Sequence, residues 1–154
     1  MVANSVSRSP RQVALVFLLA AVLVSSGIAI TPAHAGTGLR SQMVQLTNED
    51  RTDKDRSALE LDLQLSRYAK KHSQDMADAG EIFHTDDLAA KLKGNDWSAG
   101  GENVGIGPNL QDLEAAFMAS TPHRQNILNR EFDHVAIGVV ESDGNFWVTV
   151  IFYG

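Results

Sequence analysis

Residues 135–153 read Val-Ala-Ile-Gly-Val-Val-Glu-Ser-Asp-Gly-Asn-Phe-Trp-Val-Thr-Val-Ile-Phe-Tyr. Two apolar runs, 135–141 and 146–153, flank Ser142-Asp143-Gly144-Asn145, and Asp-Gly between such runs is a strong hairpin signal. Val135, Ile137 and Val139 fall on one side, Ala136 and Val140 on the other. In the partner run, Phe146, Val148, Val150 and Phe152 oppose Trp147, Ile151 and Tyr153. A hairpin with one wet face alternates apolar with polar residues; this one does not, so helices are expected on both faces. The predicted class is α/β, an α/β/α sandwich with a small antiparallel sheet between helical layers. A third strand is expected over 101–106, with Glu102, Val104 and Ile106 pointing one way and Asn103 the other.

Periodicity supplies the helical layers. Over 63–79, Leu65, Ala69, His72, Met76 and Ala79 recur at three- and four-residue intervals, the mark of one helix face. Asp62 stands at the N-cap position and Gly80 supplies the stop. A helix over 110–119 is expected from Leu110, Leu113, Ala116 and Phe117, capped by Asn109. Thr121-Pro122 restarts a short helix, threonine as cap and proline at the first helical position, burying Ile127 and Leu128. Residues 39–51 place Met43, Val44 and Leu46 on a helical pattern, and a charged connector, 52–56, follows.

The first 35 residues read as an export leader. Arg8 and Arg11 occur there without any acid, then an apolar run over 13–24, then Ser25, Ser26, Gly27, Pro32 and Ala33-His34-Ala35. A positive start, an apolar core and a small-x-small site form a secretory signal peptide. Cleavage is predicted after Ala35, leaving a single secreted domain over 36–154 with a frayed start at 36–38. The alternative is retention by an uncleaved N-terminal anchor, since the apolar stretch counted through Ile30 nears bilayer-spanning length. The chain has no cysteine, which excludes both an acylated-cysteine anchor and disulfides. Its core must carry the stability, which a domain of about 120 residues can do. Because the leader holds two arginines and no acid, the whole-chain charge of −6 becomes −8 without it. Such a surface repels phosphate backbones, so nucleic acid is not an expected partner.

Four histidines follow the leader: His72, His84, His123 and His134. His72 falls on the apolar stripe of the long helix and reads as a core histidine satisfied by a neighbour. The other three sit in predicted loops or at element ends, where site residues usually lie.

Several segments resemble one family. Residues 43–51, Met-Val-Gln-Leu-Thr-Asn-Glu-Asp-Arg, are similar to the Leu-x-Asn-x-x-Arg opening of bacterial CAP domains. Residues 59–76 resemble their leucine segment, Asp cap and helix ending in His-Ser-x-Asp-Met. Phe83-His84 resembles their Phe-x-His loop, 101–104 their Gly-Glu-Asn signature, and 117–128 their Trp-Met-x-Ser-x-x-His-Arg-x-Asn-Ile-Leu segment. Residues 132–139 and 147–153 are similar to the closing strands. Six matches in this order, over nearly all of 36–154, resemble the CAP superfamily of cysteine-rich secretory proteins, antigen 5 and pathogenesis-related-1 proteins, in its bacterial form.

The resemblance implies a central cleft lined by His84, Glu102 and His134, with His123 at its rim. In some relatives a divalent cation, zinc or magnesium, sits between the histidines, here His84 and His134. Imidazole suits zinc, and a nearby carboxylate can orient a ligand ring. A carboxylate between imidazoles also favours their protonated forms, as acid–base work requires. The chain departs from the family at Ser120, where a second glutamate is expected, at Phe117 for tryptophan, and at Pro122 for glycine. The fourth acidic position of a tetrad is therefore unfilled. Asn103, Arg124 and Asn126 have a structural reading, Asn103 satisfying the Gly-rich turn and the other two pinning the short helix to the sheet.

The leading expectation is an extracellular binding or effector module taking a small molecule, lipid or peptide. The alternative is a metal-assisted hydrolase with His84, Glu102 and His134 as catalytic candidates and Glu102 as general base. A third is a passive cell-surface or matrix protein. No serine sits in a nucleophile-elbow context, so a Ser-His-Asp triad has no support.

Overall fold

The computed structural model describes residues 32–154, with side chains from Gly38 onward. Its strands are β1 (Glu60–Leu61), β2 (Gly100–Gly107), β3 (His134–Ser142) and β4 (Asn145–Tyr153), in the sheet order β1-β3-β4-β2. β3 and β4 form the expected hairpin, from His134↔Tyr153 to Ser142↔Asn145. Asp143 and Gly144 both take positive φ, 51° and 72°, the two-residue turn whose twist suits the flanking strands. β2 runs antiparallel on the other side of β4, with Glu102 opposite Ile151. The sheet is mixed rather than purely antiparallel, because β1 pairs parallel with β3 at Glu60↔His134 and Leu61↔Val135. Two residues are too few to carry a period of two; their pairing comes from where α1 and α2 deliver the chain.

Both faces of the sheet are covered, as the hairpin's composition requires. One face packs Val135, Ile137, Val139, Val148, Val150 and Phe152 against Met43, Leu110, Leu113, Phe117 and Ile127. These come from α1 (Pro32–Thr52), α4 (Leu110–Ala119) and α5 (Thr121–Ile127). The opposite face packs Ala136, Ile151 and Tyr153 against Leu65 and Ala69 of α2 (Leu65–Ala79) and Leu92 of α3 (Leu88–Leu92). Approach is closest at Gly138, where an added Cβ would lie 2.1 Å from the Ala69 carbonyl carbon. Only glycine lets α2 sit there.

Local signals set the helix ends. The Asp62 carboxylate accepts the N–H groups of Gln64 and Leu65 at 2.7 and 2.9 Å, so it caps α2 although regular helix starts at Leu65. Gly80 is left-handed, and the Gly80 and Glu81 N–H groups bond back to Ala77 and Met76, a Schellman ending. Ser66 and Ser73 join the buried stripe of α2, whereas Ala79 is exposed. Asn109 caps α4 through the Asp112 N–H at 2.7 Å. The cap position of α5 is Ser120 rather than Thr121. α3, unforeseen from sequence, is capped by Asp87 through the Ala90 N–H; five residues carry too little periodicity to announce a helix.

α1 is longer than its apolar pattern suggests, running through 36–38, where a frayed start is expected. Its end is anchored by packing, and elongating a nucleated helix costs little. The expected leader falls, over 1–31, outside the described residues, and its cleavage bond lies inside α1. Arg51, buried near the end of α1, donates to the carbonyls of Ser57, Ile127, Asn129 and Phe132 at 2.7–3.1 Å. It ties α1 to the connection between α5 and β3.

Candidate functional site

β2 is an edge strand, so residues from both helical layers meet around its rim. Strand alternation sends Glu102 to the α2 face and Asn103 to the α4–α5 face. Glu102 meets the α2–α3 loop. Its Oε1 accepts His84 Nδ1–H at 2.8 Å and the Thr85 N–H at 2.9 Å, and its Oε2 accepts the Thr85 hydroxyl at 2.6 Å. The Tyr68 hydroxyl, 3.0 Å from Thr85 Oγ1, closes the chain from α2. An ionised carboxylate only accepts, so His84 carries its proton on Nδ1 and leaves Nε2 for other partners. The Glu102 side chain is 5% exposed and that of His84 63%. A buried anchor thus holds an outward imidazole.

On the other side of the rim, Asn126 Nδ2 donates to the Glu102 carbonyl at 3.1 Å and to Asn103 Oδ1 at 2.9 Å. Asn103 Nδ2 donates to the His123 carbonyl at 3.0 Å. Asn126 therefore pins α5 to the sheet as read from sequence, while Asn103 serves α5 and not the Gly-rich turn. Arg124 does not share in this. It is exposed, and lines a 370 Å³ depression with Thr121, Gln125 and Leu128. His123 lies tilted against Phe117, ring centres 5.1 Å apart and planes at 39°, and its Nδ1 lies 2.8 Å from Ser120 Oγ. Its pKa is lowered, first by burial and then by electrostatic repulsion from His84.

His134 is engaged elsewhere. Its Nδ1 bonds to Asp133 Oδ1 at 2.5 Å, and its ring stacks on Tyr153 at 4.8 Å. It shares the Glu102 face, but β4 runs between them and Tyr153 pairs with Gly100, two residues before Glu102. Strand spacings place the two Cα atoms on the order of 12 Å apart. Among the described residues, no three His, Asp or Glu side chains are grouped to hold a cation. The pairing of His84 and His134 around zinc or magnesium, implied by the resemblance, does not fit this donor set.

His72 is buried, and its Nδ1 lies 3.1 Å from Thr149 Oγ1. Its Nε2 has no partner. The neighbour foreseen for this core histidine therefore satisfies only half of it. Tyr68, His72, Phe83, His84 and Thr85 wall a cleft of about 510 Å³, which carries Lys71, Asp75, Asp86, Asp87 and Lys91 as its charged members. That volume suits a small ligand. Thr85 and Tyr68, central to this geometry, gave no signal in the sequence, because a loop threonine and a helical tyrosine are commonplace.

No helix among the described residues is long and apolar enough to cross a membrane. The family described as "Cysteine-rich secretory protein family" matches residues 44–152. The uncharacterized protein YkwD of Bacillus subtilis is 34% identical over 113 residues, 69% of this chain and 44% of that protein. An extracellular SCP-domain protein of Bacillus anthracis superposes with a TM-score of 0.67 at 26% identity, covering 80% of this chain and 43% of the other. An outer surface protein of Borrelia burgdorferi shares the fold with a TM-score of 0.64 at 19% identity, over 74% and 90%. The chain thus spans under half the length of the two Bacillus proteins. With the family spanning both helical layers and the whole sheet, the chain belongs to the cysteine-rich secretory protein family of CAP domains.

Proposed function

We propose that this protein is exported and acts outside the cell as a binding module, with the cleft beside His84 as its ligand site. The single observation that carries this reading is the division of labour between Glu102 and His84. Glu102 spends its buried carboxylate on three donors that fix the loop, and so supports His84 rather than serving as a free base. His84, fixed through Nδ1, presents the rest of its ring to a cleft of ligand size. Export is supported by the leader and by neighbours described as extracellular or outer surface proteins.

Thermal shift measurements with a panel of blocked peptides, amino acids and fatty acids test the binding role. At least one class is expected to raise the melting temperature of the wild type and not of His84→Ala. A panel that shifts neither protein, or both alike, overturns it. Intact mass of the exported protein checks the leader; a species retaining residues 1–35 overturns cleavage.

A further inference from the structure

We infer that the hollow between the end of α1 and the connection from α5 to β3 is an anion site. Its ligand is a monoanionic carboxylate, borne by a peptide C-terminus or by a small organic acid. The hollow shares no lining residue with the cleft beside His84, so the inference stands apart from the reading of that cleft.

Three guanidinium groups, of Arg51, Arg56 and Arg130, line this hollow of about 260 Å³, in a chain whose net charge is −6. Among the described residues, no carboxylate lies within ion-pair distance of any of them. Arg51 is 1% exposed, and its hydrogen bonds go to four carbonyls, which leave its charge without a counter-ion. Arg56 directs Nε to the Leu128 carbonyl and Nη1 to those of Lys54 and Asp55; none of these bonds uses Nη2. Arg130 is exposed and has neither hydrogen bond nor ion pair among the described residues. After burial, Arg56 is the next cause of the lowered Arg51 pKa, the mark of like charges held close. Buried positive charge without a partner is costly, and an anion taken from solvent supplies one.

The rest of the lining selects the anion. Asp55 and Asp133 belong to the same hollow. Three positive charges against two negative leave a surplus of one, which suits a monoanion and disfavours a dianion. The planar arginine fork matches the two oxygens of a carboxylate. The hollow is smaller than the roughly 300 Å³ at which pockets enclose a whole drug-sized ligand, so it takes an anionic end.

Titrations followed by ¹H–¹⁵N spectra near pH 7 at low salt test the inference. The probes are N-acetyl-triglycine, its C-terminal amide, acetate and sulfate. The peptide acid is expected to give saturable shifts in the backbone amides of 55–57 and 130–133, and the amide none. Arg130→Gln, which has no internal bond to lose, should weaken binding at least about fivefold. Asp55→Asn should tighten it and admit sulfate; asparagine tolerates the left-handed backbone found there, φ 54°. Acetate binding as tightly as the peptide acid supports the site with small acids as its source. Weaker acetate binding supports it with peptide C-termini as the source. The inference is overturned by equal binding of acid and amide, by sulfate binding the wild type more tightly than either carboxylate, or by shifts that do not saturate. Unchanged affinity in Arg130→Gln, or binding no tighter in Asp55→Asn, overturns it as well.

Discussion

Thr85 reaches Glu102 twice, through its N–H at 2.9 Å to one carboxylate oxygen and its hydroxyl at 2.6 Å to the other. The loop that carries Phe83 and His84 is thus clamped to the edge strand at a single residue. Thr85→Val keeps the shape and the N–H bond and loses the hydroxyl. A charge-assisted hydrogen bond lost to a mostly buried acceptor costs about 1–3 kcal/mol. We expect urea unfolding to show a loss in that range, and amide exchange to quicken over 82–87 while 43–52 stays protected. Unaltered exchange in the loop would show that the clamp holds nothing.

Arg51 gives a larger effect from a single side chain. Its guanidinium serves four carbonyls, three of them beyond residue 126, from a buried position. Burial lowers its pKa, with Arg56 adding to the fall, yet guanidinium stays charged in proteins. Arg51→Met fills the space and orphans the carbonyls, which is expected to cost at least about 3 kcal/mol. Arg51→Lys, a point charge without the planar fork, should fall between. Equal stability of all three proteins in denaturant would contradict this.

The contrast between Glu102 and Arg51 marks what can be read from residues alone. Strands, hairpin turn and the α2 stripe were legible because period two, Asp-Gly and period four act locally on the chain. Glu102 and His84 stood out through resemblance, and the bond between them is the part of the candidate site now seen in contact. The separate surroundings of His134 were not legible, because they depend on how β4 intervenes and on Asp133 capturing the ring. The Arg51 hub and the Thr85 clamp were hidden for the same reason. Their partners are main-chain atoms brought in from distant parts of the chain, and a backbone carbonyl has no letter in the sequence.

Gly138 tests the packing of α2 on the sheet. A methyl group there would overlap the Ala69 backbone at 2.1 Å, and backbone cannot step aside as a flexible side chain can. Gly138→Ala is expected to destabilise by about 3 kcal/mol or to prevent folding. Gly38 is the control: a Cβ there meets nothing within 4 Å and the residue lies in α1. Gly38→Ala should be neutral or stabilise by up to about 1 kcal/mol. Thermal melts in which the two variants behave alike would refute the close-approach argument.

Glu114 lies on α4, 3% exposed, with no hydrogen-bond partner for either carboxylate oxygen. Burial, reinforced by Asp50 of α1, raises its pKa to about 8, and the Thr47 hydroxyl alongside offsets only part of that rise. In the unfolded chain the group ionises near 4.5, the ordinary value for a glutamate. Between these two values the folded protein keeps a proton that the unfolded chain has released. Stability present below about pH 4.5 is therefore lost as pH rises toward 8, at no more than about 1.4 kcal/mol per unit. Glu114→Gln removes this term. The variant should match the wild type near pH 4 and exceed it by several kcal/mol at pH 9, the gap widening steadily between. Urea denaturation of both proteins at pH 4, 6 and 9 measures that gap, and a gap of constant size would mean that Glu114 is already ionised within the fold.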